Sequence, residues 1–256
     1  MKSALLKRFA PWLLLALILL VWQALCSAFE VSEFVFPSPW AIGASLLEYA
    51  GPIAGHAWRT FWVTMAGFGL AVAVGVLLGF AIGSSPTLYG AAYPLMTAFN
   101  ALPKAAFVPI LVVWFGIGIG PAILTAFLIS FFPIMVNIAT GLATLEPELE
   151  DVLRVLGARR SDVLLKVGLP RSLPYFFASL KVAITLAFVG STVSEMNAAN
   201  EGIGYLLVSA GSAMKMPLAF GGLVVIGAMA MAMYELFAVI ERNTTAWAHR
   251  GAQNRG

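Results

Sequence analysis

The chain alternates between long apolar runs and short segments rich in polar residues, glycine or proline. A helix crosses a bilayer with about 20 apolar residues, and most of the runs reach that length. They cover residues 10–29, 60–83, 105–119, 121–143, 174–196 and 218–240. This pattern predicts an all-α polytopic membrane protein with about six transmembrane helices.

The region between residues 86 and 120 is the least regular part of the pattern. The run 105–119 is short for a full crossing, and it ends in alternating glycines before Pro121. The preceding stretch, residues 86–103, contains three prolines, and proline interrupts a helix interior. This stretch predicts an interfacial or broken helix, and the span boundaries between residues 86 and 120 stay open.

Composition narrows the class of protein. Hydrophobic residues make up 61% of the 256 residues and charged residues 11%, against roughly 45–50% and about 25% in soluble domains. A soluble globule is therefore excluded, and the small net charge of +3, without a basic solvent-exposed face, excludes nucleic-acid binding. Cys26 is the only cysteine, which excludes an intrachain disulfide and a cysteine metal site.

The basic residues indicate the orientation. With both termini in the cytoplasm, thirteen of the fifteen lysines and arginines lie on or near that side, and only Arg59 and Lys215 lie outside. The positive-inside rule favours this arrangement. Residues 30–57 and 197–217 are then extracytoplasmic, and the stretch from Ser38 to Tyr49 predicts a short helix on the outer surface.

Small residues recur at intervals of four in the second run, which places them on one helix face. These helix-packing positions are Ala71, Gly75, Gly79 and Gly83. Such a stripe allows two helices to approach closely. Packing within the chain is the favoured interpretation, and a subunit interface or a sliding face is the alternative.

The densest charge lies between the fourth and fifth runs, in a segment that the orientation places in the cytoplasm. Apolar residues recur at helical spacing from Leu145 to Leu156, and Glu148, Asp151 and Arg154 lie off that stripe. An amphipathic helix of this kind suits a lipid surface or a partner protein. Its acidic face favours the partner, because the cytoplasmic leaflet is usually negative.

Two further signals lie downstream in the same segment. Gly157 predicts the end of the amphipathic helix, and Ser161 can cap a second short helix from Asp162 to Val167. The prolines at 170 and 174 then predict the return of the chain into the membrane.

Charged side chains inside predicted spans are functional candidates, because they are costly in lipid. Glu195 lies near the outer end of the fifth run in a polar cluster with Ser191, Thr192, Asn197 and Asn200. The cluster is either a structural hydrogen-bond network or the lining of a translocation path or outer gate. Lys181 and Glu235 lie near the inner ends of their spans, where long side chains can reach the cytoplasmic interface.

The cytoplasmic segment also contains a spaced motif. Asp151-Val152-Leu153 is followed after three residues by Gly157 and, nine residues later, by Val167-Gly168-Leu169-Pro170. This spacing resembles the signature E-A-A, three residues, G, nine residues, I-x-L-P of the permease subunits of binding-protein-dependent ABC importers. Asp replaces Glu, and larger apolar residues replace both alanines.

Three further stretches resemble the nitrate, sulfonate and taurine branch of that family, and the similarity covers residues 30 to 242. They are Trp114-Phe115-Gly116-Ile117-Gly118, Phe131-Phe132-Pro133 and Ser194 to Leu206. The resemblance implies the type I ABC importer permease fold in a bacterial inner membrane. It also implies that the chain forms half of a translocation pathway for a small oxyanion or related organic solute.

The resemblance further implies partners. An extracytoplasmic binding protein delivers the solute, a second permease copy, favoured as a homodimer, completes the pore, and two cytoplasmic ATPase subunits bind ATP and Mg²⁺. It assigns ATPase coupling to the loop 144–172. The residues concerned are Glu148, Asp151, Val152, Leu153, Arg154, Gly157, Val167, Leu169 and Pro170.

No motif in the chain predicts catalysis. No lysine follows a glycine, so the phosphate-binding sequence G-x-x-x-x-G-K-[ST] is absent. We therefore expect no catalytic residues, no metal and no cofactor on this chain, and ATP hydrolysis in a separate subunit. The alternatives are a proton-coupled secondary transporter, in which Glu195 or Glu235 would carry protons, and a membrane-embedded enzyme.

The predicted domain organisation is simple. Residues 1–256 form one transmembrane domain, in which residues 1–58 supply the first span and an outer segment. Residues 59–242 supply the core, including the coupling loop 144–172.

Two substitutions test the coupling assignment. We expect Asp151→Arg, which reverses a charge on the predicted docking face, and Gly157→Leu, which removes the helix stop, to uncouple or release the ATPase without preventing membrane insertion. Copurification of the ATPase and solute uptake measure the effect. Normal transport by both variants would refute the assignment.

Overall fold

The computed structural model describes residues 2–143, 155, 157 and 164–245. The α-helices with defined bounds are α1 (Lys2–Ala28), α2 (Pro39–Glu48), α3 (Ala50–Gly83), α4 (Pro86–Ala101), α5 (Val108–Phe115), α6 (Ile119–Ala143), α7 (Leu169–Ala198), α8 (Ile203–Ser212) and α9 (Met216–Thr244). A 3₁₀ helix, Lys104–Phe107, precedes α5, and a π-helical turn, Leu164–Gly168, precedes α7.

Five of these helices, α1, α3, α6, α7 and α9, are long and apolar enough to cross a bilayer. A sixth candidate is the pair formed by α4 and the stretch Lys104–Phe115, which are bent by 73° at a short break. The prediction of an all-α polytopic protein with about six spans is confirmed.

The predicted span 105–119 is wrong in its bounds. Helix α5 ends at Phe115, and residues 116–118 form a linker in which Gly116 and Gly118 have φ angles of +78° and +140°. The eight residues of α5 are too few to cross alone, so the crossing also needs α4. The break falls at Leu102, whose extended conformation is the one favoured before a proline.

One other boundary also differs from the predictions. Helix α3 begins at Ala50, not near residue 60, because Pro52 is tolerated in a first helical turn. The candidate span of α7 begins at Pro170, and Pro174 lies inside the helix one turn later. The predicted cap Ser161 lies outside the described residues.

Helices α3, α6 and α7 form the main core. Buried side chains from all three helices pack together, including Phe68 of α3, Ile134 of α6 and Phe188 of α7. Helix α9 adds partly buried residues such as Met233 and Phe237. This three-helix core is the frame that positions the polar residues at one end, which we call the outer end because the predicted orientation places it outside the cytoplasm.

The small-residue stripe of α3 lies against α6 of the same chain. A Cβ atom added at Gly79 would lie 2.8 Å from the carbonyl oxygen of Met135 and 2.9 Å from Cβ of Ile138. At Gly83 the added atom would lie 2.7 Å from the carbonyl oxygen of Ala139. The two backbones are therefore in direct contact along this face.

A second apolar cluster forms an outer layer from α2, α8 and the first turns of α3 and α9. Ile203, Leu206 and Ala210 of α8 pack there against Ile53 and Leu218. The short outer helix predicted from Ser38 is present as α2, and the Ser38 hydroxyl accepts a hydrogen bond from the Ala41 N–H at 3.2 Å.

The contrast between two glycines of α3 tests the close packing. We expect Gly79→Ala to destabilise the protein by about 1–3 kcal/mol, because the methyl group overlaps the α6 backbone. Gly69→Ala is the matched control, since an added Cβ there meets nothing within 4 Å. Unfolding in detergent measures both variants, and equal stabilities would contradict the packing.

Candidate functional site at the outer end of the core

Helix α8 begins in an unusual way, because its capping position is Gly202, which has no side chain to offer. The first N–H groups of a helix lack partners within the helix. Here three consecutive N–H groups donate to side chains of other helices. They are Gly202 to His56 Nδ1 at 3.1 Å, Ile203 to Thr60 Oγ1 at 2.8 Å, and Gly204 to Glu195 Oε2 at 3.0 Å.

We call His56, Thr60 and Glu195 the composite cap. His56 and Thr60 lie one helical turn apart on α3, and Glu195 lies on α7. The Thr60 hydroxyl accepts from the Ile203 N–H and donates to Glu195 Oε2 at 2.8 Å. The cap therefore joins α3, α7 and α8 through one continuous hydrogen-bond chain.

Glu195 is the charged member of the composite cap. Its side chain is only 3% exposed, and Oε2 accepts from both the Thr60 hydroxyl and the Gly204 N–H. A carboxylate at a helix N-terminus also opposes the positive end of the helix dipole.

Two glycines allow the backbone to approach the carboxylate. Gly202 has a φ angle of +104°, and a Cβ atom added there would lie 2.3 Å from Cδ of Glu195. A Cβ atom added at Gly204 would lie 2.3 Å from the carbonyl oxygen of Thr192. Any larger residue at either position would push α8 away from α7.

A second polar link lies one helical turn further into the membrane. The hydroxyls of Thr64 on α3 and Ser191 on α7 are buried and hydrogen-bonded at 2.6 Å. The two helices are thus joined by two stacked polar contacts within an otherwise apolar core.

The structure brings only part of the predicted polar cluster together. Glu195 and Ser191 enter the network, whereas the Thr192 hydroxyl donates to the Phe188 carbonyl of its own helix at 2.7 Å. Asn197 is exposed and donates to the Val193 carbonyl at 2.7 Å. Asn200 is exposed and lies beside a pocket.

That pocket has a volume of about 200 Å³ and lies against the composite cap. Arg59 and Glu201 line it and form an ion pair at 3.1 Å, with both side chains well exposed. Glu195 lines it as well, and its Oε1 has no hydrogen-bond partner among the described residues. The outer end of the core therefore offers a small pocket, lined by an ion pair, beside a buried carboxylate.

Sequence reasoning missed the α3 half of this network. Thr60 and Thr64 lie on the face that continues into Gly67 and Ala71, at intervals of four and three residues. Two hydroxyls at the outer end of a small-residue stripe were the available signal. The predicted span begins only at residue 60, which leaves His56 in the predicted extracytoplasmic segment 30–57.

The charged residues at the other end of the core form ion pairs. Lys181 Nζ pairs with Glu241, in the last turn of α9, at 2.5 Å, and both side chains are mostly buried. Glu235 is exposed and lies 3.6 Å from Arg242.

The proposed coupling residues are only partly described. Glu148, Asp151, Val152, Leu153 and Arg154 lie outside the described residues. Gly157 is exposed with a φ angle of +83°, Val167 is half-buried, and Leu169 and Pro170 open α7. Within the described ranges, no group of three or more His, Cys, Asp and Glu side chains could hold a metal ion.

Thr60→Val tests the composite cap. Valine has nearly the same shape but leaves the Ile203 N–H without an acceptor and removes one donor to Glu195, so we expect a loss of about 1–3 kcal/mol in unfolding free energy. Thr185→Val on α7 is the control, since the Thr185 hydroxyl bonds only a carbonyl of its own helix. Equal stabilities of the two variants in detergent would contradict the cap.

The sequence is similar to those of known membrane transport proteins. A probable ABC transporter permease protein of Haemophilus influenzae is 30% identical over 242 residues, covering 91% of this chain and 94% of the relative. The taurine transport system permease protein TauC of Escherichia coli (strain K12) is 29% identical over 241 residues, covering 91% and 87%.

The fold is also similar to a solved structure. A chain of the MetNI methionine ABC transporter in an inward-facing conformation matches with a TM-score of 0.63 at 18% identity, over 82% of this chain and 99% of that chain. The family model for the inner membrane component of binding-protein-dependent transport systems matches residues 71–243, from α3 to the end of α9. The chain therefore belongs to the family of ABC importer permeases, the membrane-spanning components of binding-protein-dependent transport systems.

Proposed function

We propose that this permease forms half of the pathway for a small oxyanion, such as nitrate, a sulfonate or taurine, or for a related small organic solute. The observation that supports the substrate class is the similarity, over nearly the full chain, to a permease named for taurine transport. A separate extracytoplasmic binding protein would select and deliver the solute.

ATP hydrolysis is proposed to take place in a separate cytoplasmic ATPase, present in two copies, which binds ATP and Mg²⁺. The absence of a phosphate-binding loop in the sequence supports this division. The ATPase would dock on the loop 144–172. A second permease copy, favoured as an identical chain, would complete the pore.

The span order supports an orientation with both termini in the cytoplasm. With the bent pair counted as one span, four crossings, α1, α3, the bent pair and α6, precede the coupling loop, which would place the loop on the side of the N-terminus. Arg59 lies beside the exposed Trp58 and Trp62 at the opposite end of α3, and tryptophans mark a membrane interface. The outer layer of α2 and α8 would then face the binding protein.

A proton-coupled secondary transporter is not favoured. The matched relatives are ABC permeases, and the family model for the inner membrane component of binding-protein-dependent transport systems covers residues 71–243.

Reconstitution tests the proposal. We expect proteoliposomes that contain the permease, its ATPase and its binding protein to take up solute with ATP, and to continue when a protonophore abolishes the pH gradient. A non-hydrolysable ATP analogue is the control and should give no uptake. Uptake driven by a pH gradient without the ATPase would overturn the proposal, and ligand screening of the binding protein would identify the solute.

A further inference from the structure

Helix α8 is a short element that is held in place by contacts with other helices. It has ten residues, too few to cross the bilayer, and residues 199–202 before it are not helical. Its apolar face belongs to the outer layer, where it packs on α3 and α9. Among the described residues, its side-chain hydrogen bonds to the transmembrane core are the three of the composite cap.

Glu195 is the central member of those contacts. Its Oε2 accepts directly from the Gly204 N–H of α8. It also accepts from the Thr60 hydroxyl, which is itself the acceptor for the Ile203 N–H. Loss of the carboxylate would leave two buried donors unpaired, and each unpaired donor is costly where water is excluded.

The surroundings of the carboxylate indicate a fixed position. The side chain is buried, and the backbone at Gly202 and Gly204 approaches so closely that neither residue leaves room for a Cβ atom. The same carboxylate belongs to the helix that also carries Ser191, the second link to α3. Displacement of α8 would therefore act on both α3 and α7.

We propose that Glu195 is a positioning residue that anchors α8 to the transmembrane core, so that docking of the binding protein on the outer layer is transmitted to α3 and α7. The transmission step rests on the proposed function, since it takes the outer layer as the docking surface. The anchor itself is independent of the solute. In this role the carboxylate supplies two hydrogen-bond acceptor positions on Oε2.

Two substitutions separate acceptor geometry from charge. In Glu195→Gln the amide oxygen can accept from both Thr60 and Gly204, whereas Glu195→Leu fills similar space without any acceptor. We expect the glutamine variant to keep binding-protein-stimulated ATP hydrolysis and transport within about threefold of the native chain. We expect the leucine variant to lose about tenfold or more, as the loss of buried hydrogen bonds predicts.

A distance measurement tests the anchor without transport. Cysteines for spin labels replace Gly55 on α3 and Gly211 on α8, where added side chains meet nothing within 4 Å, in a chain whose only cysteine, Cys26, is replaced by serine. The complete transporter is used. We expect the native chain and the glutamine variant to give one narrow distance distribution, and the leucine variant to give a broader or shifted one.

The control substitution is Gly69→Ala, which lies in open space on α3, outside the outer layer, and should change neither stimulation nor transport. If Glu195→Leu does not fold, the pair Thr60→Ser and Thr60→Val replaces it, since serine keeps the bridging hydroxyl and valine removes it. Stimulation and the native distance distribution should then survive in the serine variant and be lost in the valine variant.

Three results would overturn the inference. A glutamine variant as defective as leucine would assign Glu195 to proton transfer or to a charged contact with solute in the neighbouring pocket. Native distances in the leucine variant would show that α8 needs no anchor, and a displaced α8 with full stimulation would remove the transmission step. Absence of ATP-driven uptake by the native chain would overturn the proposed function alone, because the distances still test the anchor.

Discussion

A backbone N–H group inside a bilayer has no water to which it can donate, and most of the structure follows from this constraint. Continuous helices satisfy it over α3, α6, α7 and α9. The difficulty arises where a helix begins or breaks near the membrane, as at the start of α8. The composite cap solves it with three side chains from two other helices, because the capping glycine supplies none.

The core is held together by close contact more than by the hydrophobic effect, since lipid is as apolar as the side chains. The small residues of α3 bring its backbone against α6, so many weak dispersion contacts form along the whole face. Gly190 does the same for α7, where an added Cβ would lie 2.9 Å from Cα of Ala126. The polar links of Thr60 and Thr64 lie on this rigid frame, which keeps their geometry defined.

Much of the fold could be predicted from the sequence, because apolar length is a strong signal in a membrane protein. The number of spans and the short outer helix after Ser38 were predicted in this way. A broken helix was also expected between residues 86 and 103, but the start of α3 and the position of the break between α4 and α5 could not be predicted, because prolines there are compatible with either a break or a first turn. The choice depends on the packing of neighbouring helices.

The site was predicted only in part, for a different physical reason. Glu195 is an ionisable residue in an apolar run, and such residues are functional candidates because placing them in a membrane costs free energy. Thr60 and His56 are not unusual residues at the end of a membrane helix, so the sequence does not single them out. Their role arises only because α8 packs against them, 143 and 146 residues later in the chain. Gly202 and Gly204 belong to a stretch that resembles the permease family, yet their steric role becomes visible only beside the carboxylate.

The composite cap also has a consequence for biosynthesis. Its acceptors at positions 56, 60 and 195 all precede its donors at 202, 203 and 204 in the chain. A ribosome that makes the chain from the N-terminus therefore completes α3 and α7 before α8 emerges. A chain that ends at residue 198 lacks the Gly204 donor, and its Glu195 carboxylate keeps only the hydrogen bond from Thr60.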